Sequence, residues 1–310
     1  MAVNRKIRFY VKLLRFDSWQ TWLFNFLFGC ILFTFPPPER FMMALAAFLL
    51  ATSAVFILNQ YLDYENDRAN SLKKDLPIAS GDVSPRTALI LFLAFTSASL
   101  SCAFLTDISV FLLLLTLMLL GIGYSTYPVC FKNRAGLDVV VCGVTAGILP
   151  FLIGIQTVPI MTLEFQFSYI VKRYQDVFFV ALPIFLIQYV GQIYQVVGDY
   201  EADAAAKINT FAVKYGIKTA LRFATVSLLV AISLPIAYEL LNLSITPYLK
   251  WYLAALACLV PCLLYFIKRT QNAAQSNFKK LRDIARRAGT PILLILILYA
   301  LVARLVLTGT

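Results

Sequence analysis

Two short segments place carboxylates where an otherwise apolar sequence has little reason to carry them: DYENDRAN from Asp63 and DYEAD from Asp199, each directly behind a long apolar run. Aligned on their acids, they read NQYLDYENDRANSLKK from Asn59 and QVVGDYEADAAAKINT from Gln195. Each copy offers an amide, an aspartate four residues on and a second aspartate four further on. On an α-helix this spacing stacks Asn59, Asp63 and Asp67 on one face and Gln195, Asp199 and Asp203 on another. Gln188 and Gln192 extend the second stripe back into the apolar run. Glu65 and Glu201 fall on a different helical face and are expected to meet solvent.

Like charges at this spacing repel, and more strongly as the dielectric falls. Four converging aspartates therefore require cations. Their hard oxygens suit Mg²⁺, which binds through one or two carboxylates and completes its shell with substrate phosphates. One ion on each motif, two in all, would clamp a diphosphate from both sides. Asp63, Asp67, Asp199 and Asp203 are thus the expected metal-binding and catalytic residues, with Asn59 supporting as a ligand and Gln195 its counterpart in the second copy. A single DxxxD would read as a solvated helix end. The repetition, with the same DYE and the same preceding amide, is what points to a site. Neither copy fits the alternating ligand pattern of an EF-hand.

The elements that must position these residues are apolar. Of the 310 residues, 60% are hydrophobic and 14% charged, and the mean hydropathy is +0.78. A soluble domain is excluded by that balance, and the short alternating segments of a β-barrel are missing. Nine apolar runs approach the length of a spanning helix, at roughly 18–35, 42–61, 87–105, 108–128, 137–156, 177–197, 219–239, 249–268 and 291–308. The reading is an all-α, multi-pass integral protein of the cell membrane, one domain over residues 1–310, with a pseudo-repeat in 42–86 and 177–218. No cleavable leader is expected, because MAVNRKIRFYVKLLR runs straight into a full-length span.

Basic residues crowd alternate connections: Arg5 to Arg15, Arg68 to Arg86, Lys132 and Arg134, Lys207 to Lys218, and Lys268 to Arg287. Only Arg40, Lys172, Arg173 and Lys250 fall on the other side. This asymmetry predicts a cytoplasmic N-terminus, an outside C-terminus and both acidic motifs at the cytoplasmic face. The net charge of +11 matches an anionic membrane-lipid surface, and no nucleic-acid partner is indicated. Histidine is absent, which removes the usual general base and commonest transition-metal ligand. The six cysteines lack CxxC spacing and read as small core residues. Oligomeric state is not readable from the sequence.

With these motifs placed, the chain resembles the UbiA-type intramembrane prenyltransferases, whose aspartate-rich motifs, roughly NxxxDxxxD and DxxxD, look like Asn59-Asp63-Asp67 and Asp199-Asp203. The resemblance covers nearly the whole chain. It includes Arg15 near Trp19, LPIASG at 76–81, YSTYPVCFK at 124–132 and NTFAVKYG at 209–216. Departures fall at Leu76, Cys130, Val196, Ala204 and Lys207. The resemblance implies nine helices around a central cavity, Mg²⁺, and transfer of an isoprenyl chain from an isoprenyl diphosphate donor to a lipophilic acceptor. The mechanism then expected has Lys132, Arg68 and Lys73 hold diphosphate oxygens beside Arg15, with Lys73, Lys74 and Lys207 as substitutes where the family's cations are missing, and Tyr124 and Ser125 hydrogen-bonding near, or bounding, the reacting carbon. Segment 62–86 is long enough to cover the site as a lid. A secondary transporter is the competing reading, since intramembrane acids and repeats also mark ion pathways. A noncatalytic membrane scaffold is a third.

Overall fold

A computed structural model describes residues 12–32, 36–69, 73–158 and 167–241. The described residues are helical throughout, joined by short turns. Helix α1 spans Phe16–Ile31, α2 Pro38–Ala69, α3 Pro85–Thr106 and α4 Ile108–Ser125. A 3₁₀ turn at Phe131–Asn133 leads into one nearly continuous helical segment, made of α5 (Leu137–Gly143), a π turn (Val144–Ile148) and α6 (Leu149–Gln156). Then follow α7 (Phe167–Gly198), α8 (Tyr200–Ala205), α9 (Phe211–Tyr215) and α10 (Ile217–Leu240).

Local chemistry sets the helix starts. Pro38 and Pro85 open α2 and α3 with a preset φ and no amide to orphan. The Ser84 hydroxyl caps α3 by accepting from the Thr87 amide at 3.1 Å, and the Asp107 carboxylate caps α4 by accepting from the Ser109 amide at 2.8 Å. Among the described residues, six helices are long and apolar enough to cross a bilayer: Pro38–Arg68, Pro85–Thr106, Ile108–Ser125, Leu137–Gln156, Tyr174–Gly198 and Ile217–Tyr238. The first expected span matches α1, which is shorter at 16 residues. The runs expected at 249–268 and 291–308 lie outside the described residues. Helix α2 continues to Ala69, beyond the expected end at 61, so the first acidic motif is a direct extension of a spanning helix.

Glycine lets the inner helices touch backbone to backbone. A methyl group added at Gly29 would lie 2.1 Å from the Phe151 carbonyl oxygen, and one added at Gly154 would lie 2.1 Å from that of Phe26. Helices α1 and α6 therefore cross at their backbones, the close approach that small residues permit in a membrane. Beside this crossing Asn25, buried in α1, donates to the Ala146 carbonyl of the π turn at 2.8 Å. At the start of α2, the Arg40 guanidinium pairs with Asp107 at 3.2 Å and donates to the Thr157 carbonyl at 3.2 Å. The α2 start, the α3–α4 corner and the end of α6 are locked together there. The acidic motif sits at the other end of α2.

The turn at 73–84 is anchored. Its Ile78 and Val83 are buried with Leu13, Ile57 and Ala88, and its Ala79 carbonyl accepts from Arg68 Nε at 2.9 Å. Of the segment expected as a lid, residues up to Ala69 continue α2 and the turn beyond is pinned at these points. The backbone crossing has a direct consequence. Gly154→Ala is expected to destabilise the full-length chain by about 1–3 kcal/mol, read as a lower thermal unfolding midpoint in detergent, and an unchanged midpoint would contradict so close a crossing.

Candidate functional site

The site forms where α2, α4, the 3₁₀ turn and α7 end together. Helical stacking of the first motif is borne out in its upper half: Asn59 Nδ2 donates to Asp63 Oδ2 at 3.2 Å and also to the Ser125 hydroxyl at 2.9 Å. Lys132 Nζ pairs with the other oxygen of Asp63. Three elements distant in sequence are thereby joined through one amide and one carboxylate. Asp67, one turn further, is 7% exposed, and the charges that reach it are those of Lys73, Asp63, Arg15 and Lys132. Glu65 and Glu201 are exposed.

The second motif is nearly continuous with α7. The Asp199 amide still donates to the Gln195 carbonyl at 3.0 Å and the Asp203 amide to the Asp199 carbonyl at 2.9 Å. Asp199 itself has φ −98° and ψ 4°, a kink that separates α7 from α8 while Gln195, Asp199 and Asp203 stay in register. Burial, and then the like charge of Asp199, push the Asp203 carboxyl up to about 6 against the opposing pull of Lys73. Lys73 therefore acts on Asp67 of one motif and Asp203 of the other. The two motifs are thus near enough for one lysine's charge to reach both.

The remaining predicted residues divide by position. Arg15 stacks its guanidinium over Phe56 at 5.8 Å and lies within reach of Asp67. The Tyr124 hydroxyl accepts from Gln192 Nε2 at 3.2 Å, deeper in the bundle than the aspartates. Arg68 is turned to the Ala79 carbonyl and the Tyr64 ring, away from the carboxylates. Lys207 is exposed, with a left-handed φ of 56° just past α8. These two cations are not drawn into the cluster.

Two residues escaped the sequence reading. Asp138 is fully buried, and its carboxylate accepts from the Gly136 amide at 2.8 Å and from the Phe211 amide at 2.7 Å. Asn133 Oδ1 accepts from the Asn209 amide at 2.7 Å. Together they fasten the chain after the second motif to the turn that carries Lys132. The available signal was an aspartate in the first turn of an apolar span, since an acid at that depth marks a functional site by default.

Among the described residues, no three acidic or cysteine side chains come close enough to hold a metal by themselves. The acids come instead as two pairs of hard oxygen donors, with Lys132 paired to Asp63 and the charge of Lys73 reaching Asp67 and Asp203. Such a set fits Mg²⁺, which takes one or two carboxylates and leaves its other positions to phosphate and water.

Spanning helices that converge at one end on paired aspartates and set cations define a multi-pass integral membrane protein with a polar site at one face. The chain belongs to the UbiA prenyltransferase family, whose model matches residues 23–288. Its fold is similar to that of a UbiA homolog from Archaeoglobus fulgidus solved bound to GPP and Mg²⁺, with a TM-score of 0.69 and 22% identity over 93% of this chain and 99% of that one. It is 31% identical over 105 residues to protoheme IX farnesyltransferase of Leptospira biflexa, covering 33% of this chain and 36% of the relative. It is 27% identical over 205 residues to the chloroplastic coumarin 8-geranyltransferase 1 of Citrus limon, covering 62% and 46%. The chain spans less than half the length of the curated relatives it matches.

The raised Asp203 carboxyl gives a pH prediction. In the folded metal-free protein it holds its proton up to about 6, whereas unfolded it would lose it near 3.8. Its ionisation therefore costs stability as pH rises through that window, and the cost is complete above it. Asp203→Asn should raise the unfolding midpoint of the metal-free protein at neutral pH, with the gain shrinking as pH falls through the window. A gain independent of pH would contradict this.

Proposed function

We propose that this protein transfers an isoprenyl chain from an isoprenyl diphosphate to a lipophilic acceptor within the membrane, assisted by Mg²⁺. The observation that carries the proposal is the join of Asn59, Asp63, Ser125 and Lys132 at the end of the first motif, with the charge of Lys73 reaching both Asp67 and Asp203. Diphosphate oxygens and divalent cations are the complement of that arrangement. In this reading one ion sits at Asp63 and Asp67, with Asn59 in support, and a second at Asp199 and Asp203, beside Gln195. In this reading the full chain forms nine helices around a central cavity. The N-terminus and the site face the cytoplasm and the C-terminus lies outside.

Bound Mg²⁺ supplies neutralisation of the charge that builds on the departing diphosphate as the allylic C–O bond loosens. The chain's own residues prepare for it. Asn59, tied to Ser125, holds the Asp63 carboxylate in one orientation. Lys132 neutralises the outer oxygen of Asp63 until ligands arrive, then is free to turn to the diphosphate. Lys73 and Arg15 do the same for the buried Asp67, and Lys73 for Asp203, with the exposed Lys207 and the outer nitrogens of Arg68 as more distant cations. Tyr124, held by Gln192, bounds the space on the membrane side, where the allylic carbon would lie.

Asp63→Asn and Asp199→Asn should each lower transfer at least about 100-fold, the scale seen when preorganised electrostatic stabilisation is removed. Radiolabel from geranylgeranyl diphosphate is followed into an extracted lipid pool, with and without Mg²⁺. Full transfer by either variant, or transfer indifferent to Mg²⁺, would contradict the proposal.

A further inference from the structure

One face of α2 ties the first acidic motif to the segment that precedes α1. Phe56, Gln60, Asp63 and Asp67 follow one another at spacings of four, three and four residues, so they line a single side of the helix. Against that side lies the chain just before α1. Lys12 to Leu14 are helical, Leu13 is buried with Ile57, Ile78, Val83 and Ala88, and Arg15 then breaks the helix before α1 begins at Phe16.

The contact carries two local costs. Gln60 is 1% exposed; its Nε2 donates to the Leu13 carbonyl at 2.6 Å, while its Oε1 has no hydrogen-bond partner among the described residues. A buried acceptor left in that state is destabilising. Arg15 adopts a left-handed backbone, φ 49° and ψ 41°, which is disfavoured for a residue with a Cβ and persists only where the surroundings hold it. An apolar side chain at position 60 would avoid the first cost and release the Leu13 carbonyl.

What the contact achieves is the placement of one cation. The kink two residues after Leu13 sets the Arg15 guanidinium over the Phe56 ring at 5.8 Å, on the side of α2 that carries the acids, and its charge reaches Asp67. A long side chain binds an anion more tightly when its backbone anchor is fixed, because less freedom is lost on contact.

We infer that Gln60 is a positioning residue for the transfer site: by holding the Leu13 carbonyl it fixes the turn that presents Arg15, and through Arg15 it tightens binding of the diphosphate. The inference rests on the isoprenyl-transfer reading. Gln60 itself touches neither metal nor diphosphate, since its amide is buried and committed to the backbone. Its effect passes through Arg15.

The test uses the full-length chain in detergent and two readouts. Limited trypsin digestion, without donor or Mg²⁺, follows cleavage after Arg15 through the new N-terminus at Phe16, read by mass spectrometry. Gln60→Met, close in volume and unable to donate, should raise that cleavage rate at least about fivefold by easing local opening, while cleavage after the exposed Arg134 stays unchanged. Gln60→Asn, whose amide is one methylene short of the carbonyl, should do the same, and it decides the matter if Gln60→Met does not fold. Equilibrium dialysis of tritiated geranyl thiolodiphosphate with Mg²⁺ then gives donor affinity. The Gln60 variant should weaken it about five- to tenfold alone and less than about twofold when Arg15→Ala is also present, the non-additivity of residues that act as a unit.

Unchanged cleavage after Arg15, or cleavage raised equally after Arg134, would overturn the inference. Undiminished donor affinity in the Gln60 variant would also overturn it, as would equal losses with and without Arg15, which would assign Gln60 to the frame alone. Failure of the unmodified chain to bind the donor with Mg²⁺ would instead overturn the isoprenyl-transfer reading, and the digestion would still decide whether Gln60 holds Arg15.

Discussion

Carboxylates that face one another at the edge of a hydrocarbon layer must be neutralised, and most of the structure around the two acidic motifs answers to that constraint. Removing ionised groups from water costs several kcal/mol each even after relaxation. Here Lys132 pairs with Asp63, while Lys73 acts on both Asp67 and Asp203. The balance is incomplete, because burial and Asp199 still push the Asp203 carboxyl up to about 6. A site left short of positive charge is ready for divalent cations. A site fully paired by its own lysines would have no need of them.

Holding such a cluster together requires elements that do not yield to its repulsion. The α1–α6 crossing at Gly29 and Gly154 and the Arg40 lock at the other end of α2 fix the helices far from the charge. Closer in, Asp138 and Asn133 fasten the segment after the second motif, and Arg68 and Ile78 fasten the turn after the first. The two motifs are therefore presented by a braced frame. Placing the acids at one end of the spans, with family membership, sets the transporter reading aside.

Much of this was legible in the sequence because it depends on local periodicity. Apolar runs located the described spans, although α2 runs on to Ala69, past the expected end at 61, and the spacing of Asn59 and Asp63 predicted a shared helix face, where the structure joins them by a hydrogen bond. The resemblance singled out Lys132 as part of a motif, but its pairing with Asp63 was not foreseen, since nothing local ties two residues so far apart in the chain. Asp138 was missed for the same reason: its partner, the Phe211 amide, is non-local and backbone, so it leaves no trace in composition. Arg68 shows the opposite failure. Its charge and its neighbourhood to Asp67 suggested a diphosphate ligand, but a carbonyl from the following turn lies closer at hand. The Gly29–Gly154 crossing was equally hidden, because a glycine in an apolar run does not name the helix it will touch.

The central claim is that the two motifs bind a single diphosphate through divalent cations. The most direct measurement is anomalous scattering from crystals of the full-length chain grown with Mn²⁺ in place of Mg²⁺ and with geranyl thiolodiphosphate. The account predicts two peaks, one against Asp63 and Asp67 and one against Asp199 and Asp203, with diphosphate density between them. Peaks elsewhere in the bundle, or diphosphate bound with no metal at either pair, would contradict it.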